Sequence, residues 1–326
     1  MPDDTACTRK PPARSSLNTF IRSTIAGGIA GGVAKTAVAP LDRIKILFQT
    51  HHHEFVRFSG SWSGAINALR YIIQTQGFSG LYRGHSLTLA RAVPHAAVGY
   101  TVYDHVRKVF MPTKADQTSF RRFLAGSVAG VSVLPFTYPF ELVRVRMAME
   151  TKRLHAQPRL ASVFAVIYRE NSGSHIFGRP MHGIFNFYPG FAVTLLGTVP
   201  YRGGIFLVWE TLNSKSQDWF SPAVRAAHGH KIHLLIGAIA GTSSQIVTYP
   251  LEVVRRIQQA SVRRTSRSVG SHAPSRMGFR ETTTSIWRRS GWRGFYAGLG
   301  VGLVKQVPMH SISLAVWQTF KDLLDC

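Results

Sequence analysis

Three acid–base pairs stand at the same place behind a proline. Asp42 and Lys45 follow Pro40, Glu141 and Arg144 follow Pro139, and Glu252 and Arg255 follow Pro250, in the strings PLDRIK, PFELVR and PLEVVR. Within each pair the two side chains are one helical turn apart. Ordinary surface pairs at this spacing contribute a few tenths of a kcal/mol, but nothing makes surface pairs recur behind a proline in three apolar stretches. Charges beside hydrocarbon face a bundle interior or a water-filled cavity and find partners there. If proline kinks bring three helix ends together, those partners are one another. The acid of each repeat then meets the base of the next, predicting Asp42 with Arg144, Glu141 with Arg255 and Glu252 with Lys45. The chemistry is that of a gate made of ion pairs that break and reform. Gln49 and Gln259, four residues after Lys45 and Arg255, share their faces and brace the pairs, whereas Ala148 leaves the second repeat without a brace.

The elements that must position these charges repeat as well. The prolines are about 100 residues apart, a period that marks internal repetition. Gly27, Gly126 and Gly237 lie thirteen residues before them, and Gly31, Gly130 and Gly241 nine before. Downstream, LYRG ends at Gly84, FYPG at Gly190 and FYAG at Gly298. Charge-free runs at Phe123 to Phe140, Met181 to Tyr201 and Ile232 to Leu251 match the roughly 20 residues needed to cross a bilayer core. Weaker candidates lie near 20–47, 86–109 and 297–320. Each unit therefore reads as a proline helix carrying Gly-x-x-x-Gly, a polar loop with a short helix, and a second long helix. The expected fold is an all-α membrane protein, with six transmembrane helices in a pseudo-threefold barrel of three two-helix repeats, the glycines letting helices approach closely. A polar tail is expected over 1–17 and repeats over 18–112, 118–215 and 228–324.

Composition excludes several classes. The net charge is 39 − 15 = +24, yet 45% of the 326 residues are hydrophobic and only 17% charged, so the chain is not a disordered polyelectrolyte. Cys7 and Cys326 are the only cysteines, which removes a disulfide framework. No apolar stretch before Asn18 resembles a secretory signal. There is no G-x-x-x-x-G-K-[ST] loop to cradle a hydrolysable phosphate, so transport by exchange or along a gradient is expected, not an ATP-driven pump. No enzyme activity, cofactor or metal site is expected. The run His51 to His53 reads as a solvated loop.

A second alignment, on Pro94, Pro200 and Pro308, places Arg91, Gly197 and Lys305 in equivalent positions one turn before each proline. Thr198, Tyr201 and Arg202 stand beside Gly197. A base within the membrane with no acid near it in sequence marks an anion path; the bland alternative is that Arg91 and Lys305 reach along their stems to an interface. A glycine beside Tyr201 and Arg202 suits a planar base, and the three cations suit phosphates.

With these residues the chain resembles the mitochondrial carrier family over roughly 18–324. P-x-[DE]-x-x-[KR] is met three times. The family's downstream acid-Gly-x4-aromatic-[KR]-Gly is met in part, with Gln76, His182 and Ser290 in place of the acid and Pro189 and Ala297 in place of the base. The resemblance implies that the proline ends form a matrix gate and that the short helices lie on the matrix side. It implies a cytoplasmic gate of the form [FY]-[DE]-x-x-[RK] on the even helices. Tyr103, Asp104 and Arg107 satisfy that form; Glu210 lacks its base, and Gln318 replaces the acid before Lys321. Threefold closure leaves only Glu210 with Lys321, so a strong matrix gate and a weak cytoplasmic one are expected, favouring the cytoplasm-open state without substrate. PLDRIKILFQ, the segment from Leu81 to Arg107 and the stretch from Gly197 to Glu210 resemble the coenzyme A carriers within the family. The implied function is alternating-access transport of an anionic adenine-containing cofactor, coenzyme A, across the mitochondrial inner membrane by a monomer. Adenine nucleotides and thiamine pyrophosphate are the alternative cargoes, and a non-transporting adaptor is the alternative class. The Arg- and Ser-rich stretch from Ser261 to Arg280 suggests contact with anionic headgroups such as cardiolipin, not nucleic acid.

Overall fold

The computed structural model describes residues 13–112, 118–150, 160–170, 175–176, 179–180, 183–219, 221–261 and 277–323. Most of the basic 261–280 stretch, His182 and both cysteines lie outside them. The described residues form ten α-helices: α1 (Ala13–Gln49), α2 (Trp62–Gln76), α3 (His85–Phe110), α4 (Ser119–Met149), α5 (Leu160–Arg169), α6 (Phe191–Trp219), α7 (Pro222–Ser261), α8 (Phe279–Gly294), α9 (Leu299–Val304) and α10 (Gln306–Leu323). The only β structure among the described residues is a two-residue antiparallel pairing of His175–Ile176 with Arg179–Pro180. Two compact units are distinguished, residues 1–39 with 304–326, and residues 40–303.

Among the described residues, four stretches are long and apolar enough to cross a membrane: Phe120–Met149, Phe191–Ser216, Ile232–Ser261 and Leu299–Phe320. The other two expected spans, α1 and α3, are 37 and 26 residues long. They carry more charge, including Lys35, Asp42, Arg43 and Lys45 on α1 and Arg91, Asp104 and Arg107 on α3. The charge-free run from Met181 is corrected at its start. Residues Gly183–Phe187 form a 3-10 turn, and the helix begins only at Phe191 and continues past Arg202. Absence of charge marks apolar sequence, not helix boundaries. Val93, Phe136, Leu207, Leu234 and Val247 project outward, more than half exposed, as a face toward lipid requires.

Within the 40–303 unit, three small cores obey one rule. Ile44, Leu47 and Phe48 at the end of α1 pack with Ala68 and Ile72 of α2 and with Val301. Leu142 and Val143 of α4 pack with Ile167 of α5 and with Leu87. Tyr249, Val253 and Val254 of α7 pack with Ile286 of α8 and with Val193. Each proline end thus buries its own short helix together with the start of the even helix of the preceding repeat, taken cyclically. Burying an aliphatic side chain completely contributes about 1.5–3 kcal/mol, so these contacts hold successive repeats together without any disulfide.

The expectation that Gly-x-x-x-Gly brings helices together holds at Gly130, where an added methyl would collide with the Arg202 guanidinium of α6, and is corrected at the other positions of repeats two and three. A methyl group built on Gly126, Gly237 or Gly241 would meet nothing within 4 Å. A further close approach lies at Gly204 of α6, where an added methyl would fall 2.9 Å from Ser244 Oγ of α7.

Candidate functional site

Each proline helix runs through its proline, α1 through Pro40, α4 through Pro139 and α7 through Pro250, and delivers its charges one turn later. The structure joins Lys45 Nζ to Glu252 Oε1 at 2.9 Å, Arg144 Nη2 to Asp42 Oδ2 at 2.9 Å, and Arg255 to Glu141. These are inter-repeat pairs, each acid bound to the base of the following repeat, and together they make a closed cycle. Glu141 is its most enclosed member, with 3% of its side chain exposed.

Two further guanidinium groups reach the same carboxylate. Arg91 Nη1 of α3 donates to Glu141 Oε2 at 2.9 Å, and Arg256 Nη1 donates to Glu141 Oε1 at 2.8 Å. Arg91 has no acid near it in sequence, but it has one in space, Glu141, 50 residues away. Arg256 was not among the sequence candidates. Its neighbour Arg255 filled the motif position, and only the packing decides that both arginines face Glu141. The brace residues also reach beyond the motif pairs. Gln259 accepts from Arg256 at 3.0 Å, and Gln49 donates to Tyr249 Oη at 3.1 Å, a hydroxyl that donates in turn to the Ala297 carbonyl at 3.0 Å. Lys45 Nζ lies 5.3 Å from the centroid of the Tyr249 ring, within cation–π range.

The aromatic-x-Gly turns set the position of the gate backbone. Gly84, Gly190 and Gly298 all adopt positive φ, at 83°, 77° and 80°, where a side chain is strained. An added methyl would lie 3.0 Å from the Arg144 carbonyl at Gly84, 3.3 Å from the Arg255 carbonyl at Gly190 and 3.3 Å from the Lys45 carbonyl at Gly298. Each glycine lets its turn rest on the backbone of the next repeat's base. In repeats two and three the residue before the proline pins this turn: Tyr138 Oη donates to the Pro189 carbonyl at 2.5 Å, as Tyr249 does to Ala297. Repeat one has Ala39 there. Its turn is held from outside, by Arg83 Nη1 donating to the Glu150 carbonyl at 2.8 Å. Burial lowers Arg83 from the usual arginine range, and the Glu150 carboxylate opposes that shift.

The remaining candidates divide. Gly197 lies in ordinary contact with Leu251, and Tyr201 is exposed. Thr198 spends its hydroxyl on its own helix, donating to the Thr194 carbonyl at 2.7 Å. The Arg202 guanidinium rests against the α4 backbone, where a methyl on Gly130 would collide with it, and Nη1 reaches the Gly126 carbonyl at 3.4 Å. Lys305 occupies the break between α9 and α10, and its carbonyl accepts from Met309 N at 3.2 Å. At the opposite end, Asp104 pairs with Lys108 of its own helix at 2.7 Å, with 57% of the carboxylate side chain exposed. Arg107, Glu210 and Gln318 are exposed and Tyr103 is half-buried; the side chain of Lys321 lies outside the described residues.

Two buried structural contacts escaped sequence reading. Arg43 is 2% exposed and donates to the carbonyls of Gly80, Ala148 and Glu150 and to Gln76 Oε1 at 2.7 Å. Gln76 is thus not a vacant acid position but an acceptor. In repeat two the equivalent element end is Glu170, not His182: Arg146 binds Glu170 at 2.9 Å, and Asn186 Nδ2 donates to the Glu170 carbonyl at 2.8 Å. The extra residues 171–182 displace the motif in sequence, and an arginine one turn further along the proline helix, Arg146, binds the element end. His51 likewise belongs to the packing, its Nε2 3.1 Å from the Gly294 carbonyl, where a solvated loop was expected. The described residues contain no cluster of His, Cys, Asp and Glu able to hold a metal.

A cyclic set of inter-repeat pairs behind three prolines, on three copies of one helical unit, defines a carrier-type transporter and not an enzyme. The family description "Mitochondrial carrier protein" matches residues 16–114, 115–218 and 229–325, and the chain belongs to the mitochondrial carrier family. It is 33% identical to mitochondrial carrier protein LEU5 of Saccharomyces cerevisiae, over 94% of this chain and 91% of that protein. It is 34% identical to mitochondrial carrier protein CoAc2 of Zea mays, over 93% and 87%. It is 31% identical to human solute carrier family 25 member 16, over 93% and 88%.

Proposed function

We propose that this carrier moves coenzyme A across the mitochondrial inner membrane by alternating access and counter-exchange, with the ring Asp42–Arg144, Glu141–Arg255 and Glu252–Lys45 as its matrix gate. The observation that carries the reading is the link between the ring and Arg91, a cation on the helix expected to face substrate. A transporter alternates only if its cargo binds the intermediate state more tightly than the closed one, which offsets the broken pairs. A gate acid shared with a substrate-helix cation provides for such differential binding. Coenzyme A carries an adenine, a 3′-phosphate and a pyrophosphate, matching the cationic candidates Arg91, Arg202 and Lys305 and the aromatic Tyr201. The resemblance to the coenzyme A carriers and the relative named CoAc2 favour this cargo over adenine nucleotides or thiamine pyrophosphate.

The direct test is uptake of labelled coenzyme A by liposomes containing the purified protein and loaded with coenzyme A, ADP or ATP. Exchange of coenzyme A is expected. Exchange of ADP or ATP alone would replace the cargo, and no exchange of any of these or of thiamine pyrophosphate would support the adaptor reading. Arg91→Ala and Lys305→Ala should each abolish uptake in protein that remains folded, and unchanged uptake in both would remove the site assignment.

A further inference from the structure

Behind each short helix the chain makes the same turn. Gly77, Gly183 and Gly291 take positive φ, at 73°, 68° and 57°, a left-handed conformation that glycine adopts without strain. The next residue in each repeat is large, apolar and turned out of the protein: Phe78 is 67% exposed, Ile184 64% and Trp292 61%. Three residues further on, Leu81, Phe187 and Phe295 are buried. One turn therefore sorts two apolar side chains, sending the first outward and the second into the core. Each outward residue also has an exposed apolar companion on its short helix. Ile73 and Trp287 lie four residues before their glycines, and a methyl added to Gly183 would fall 3.1 Å from the exposed Tyr168 ring. Single apolar residues scattered over a surface are ordinary, but a pair beside the same turn in all three repeats is not scattered.

Their place in the chain says what covers them. Phe78, Ile184 and Trp292 each stand seven residues before the start of an even helix, α3 at His85, α6 at Phe191 and α9 at Leu299. Phe191 and Leu299 are also where membrane-crossing stretches begin, so the outward residues lie at the level where a bilayer ends. A partner protein would have to meet three repeats of a closed cycle, whereas a bilayer surrounds the carrier and meets each repeat alike. Aromatic and large aliphatic side chains at that level suit the boundary between membrane and water. The same residues are tied to the gate. Four residues on come Tyr82, Tyr188 and Tyr296, the tyrosines of LYRG, FYPG and FYAG. The Phe78 ring lies 5.7 Å from that of Tyr82, and the Trp292 ring 5.4 Å from that of Tyr296. Those strings end at Gly84, Gly190 and Gly298, whose turns rest on the backbone of the gate bases.

We infer that Phe78, Ile184 and Trp292 are interfacial anchors, inserted into the bilayer surface where headgroups meet acyl chains. The occupant of this surface is the lipid of the membrane that the long helices cross. Through the neighbouring tyrosines the anchors hold the aromatic-x-Gly turns, and with them the gate backbone, at a set depth. The gate is then positioned against the membrane as well as against its own repeats. The left-handed glycines serve to aim the anchors, since a helix continued through Gly77, Gly183 or Gly291 would not turn the next side chain out. This surface lies apart from the charges of the ring, so the inference is independent of which cargo the carrier moves.

The test uses the full-length protein carrying Cys7→Ser and Cys326→Ser, with Phe78→Cys, Ile184→Cys or Trp292→Cys introduced one at a time. Each variant is labelled with an environment-sensitive fluorophore and reconstituted in phosphatidylcholine vesicles. Lipid bearing a nitroxide near its headgroup should quench all three labels about twofold more strongly than lipid with the nitroxide near the chain end, as expected for groups seated about 5–10 Å into the boundary. Aqueous iodide should quench them less in vesicles than in the unfolded protein. Labels open to iodide and untouched by either lipid, at any one of the three sites, would overturn the inference, and at all three would leave the surface to a protein partner. Stronger quenching by the deep nitroxide would also overturn it, by placing the residues among the acyl chains. A label-free measurement guards against disturbance by the fluorophore: lipid brominated near the headgroup should quench a larger fraction of tryptophan emission in wild type than in Trp292→Phe, and equal fractions would remove Trp292 as an anchor.

Discussion

The two ends of the 40–303 unit use charge in opposite ways. At the proline end, acids and bases come from different repeats, are largely enclosed and share partners, so Glu141 alone receives Arg91, Arg255 and Arg256. At the other end Asp104 binds Lys108 four residues along its own helix, in solvent. An intrahelical pair ties nothing together, since helix and pair move as one body. A pair between repeats resists their separation. The difference shows where described charge pairs join one repeat to another: at the proline end they do, whereas the Asp104–Lys108 pair stays within one helix.

The largest test of this contrast is Glu141→Ala, which leaves three guanidinium groups facing one another without their common acid. Unpairing buried charge costs about 3–5 kcal/mol, so the unfolding midpoint in detergent should drop sharply; an unchanged midpoint would mean the cluster is not a latch. Next comes the turn beneath it. Gly84→Ala combines a φ of 83° with a methyl 3.0 Å from the Arg144 carbonyl, and should cost about 1–3 kcal/mol. Gly126→Ala, facing open space, should stay within about 0.5 kcal/mol of wild type. Comparable losses in both would show that helix proximity and not the turn governs the glycines. A double-mutant cycle of Lys45→Ala and Glu252→Ala should give a coupling of about 1 kcal/mol, and a coupling of zero would remove that pair from the latch. Smallest of all, Asp104→Asn should leave the unfolding midpoint unchanged, because its pair is exposed and local. A clear loss there would show that the second end is also held.

How much of this could be read from the residues depended on what kind of contact was involved. Asp42, Glu141 and Glu252 with their three bases were legible because triplication supplies its own comparison: a pattern repeated at fixed offsets identifies equivalent places, and threefold closure then names each partner. Gly84, Gly190 and Gly298 were legible for the same reason, as the ends of a recurring string, while their left-handed turn was not. Arg256 was not, since two adjacent arginines offer no periodic signal to say which faces the acid. Arg91 was legible as a cation with no acid near it in sequence, but its spatial partner Glu141 was not legible, because 50 residues separate them. Glu170 was hidden by residues 171–182, which shift its position relative to the motif.

The sequence by itself determined the helical repeats, their count, their family and the pairs that join one repeat to the next, since these follow from periodicity and equivalence. Only the tertiary structure decided that Glu141 is the shared acceptor, that Arg202 rests against Gly130 and that Gly204, outside the Gly-x-x-x-Gly pattern, also makes a close helix contact. Those outcomes depend on side-chain direction and on distances between segments far apart in the chain, which no local pattern encodes.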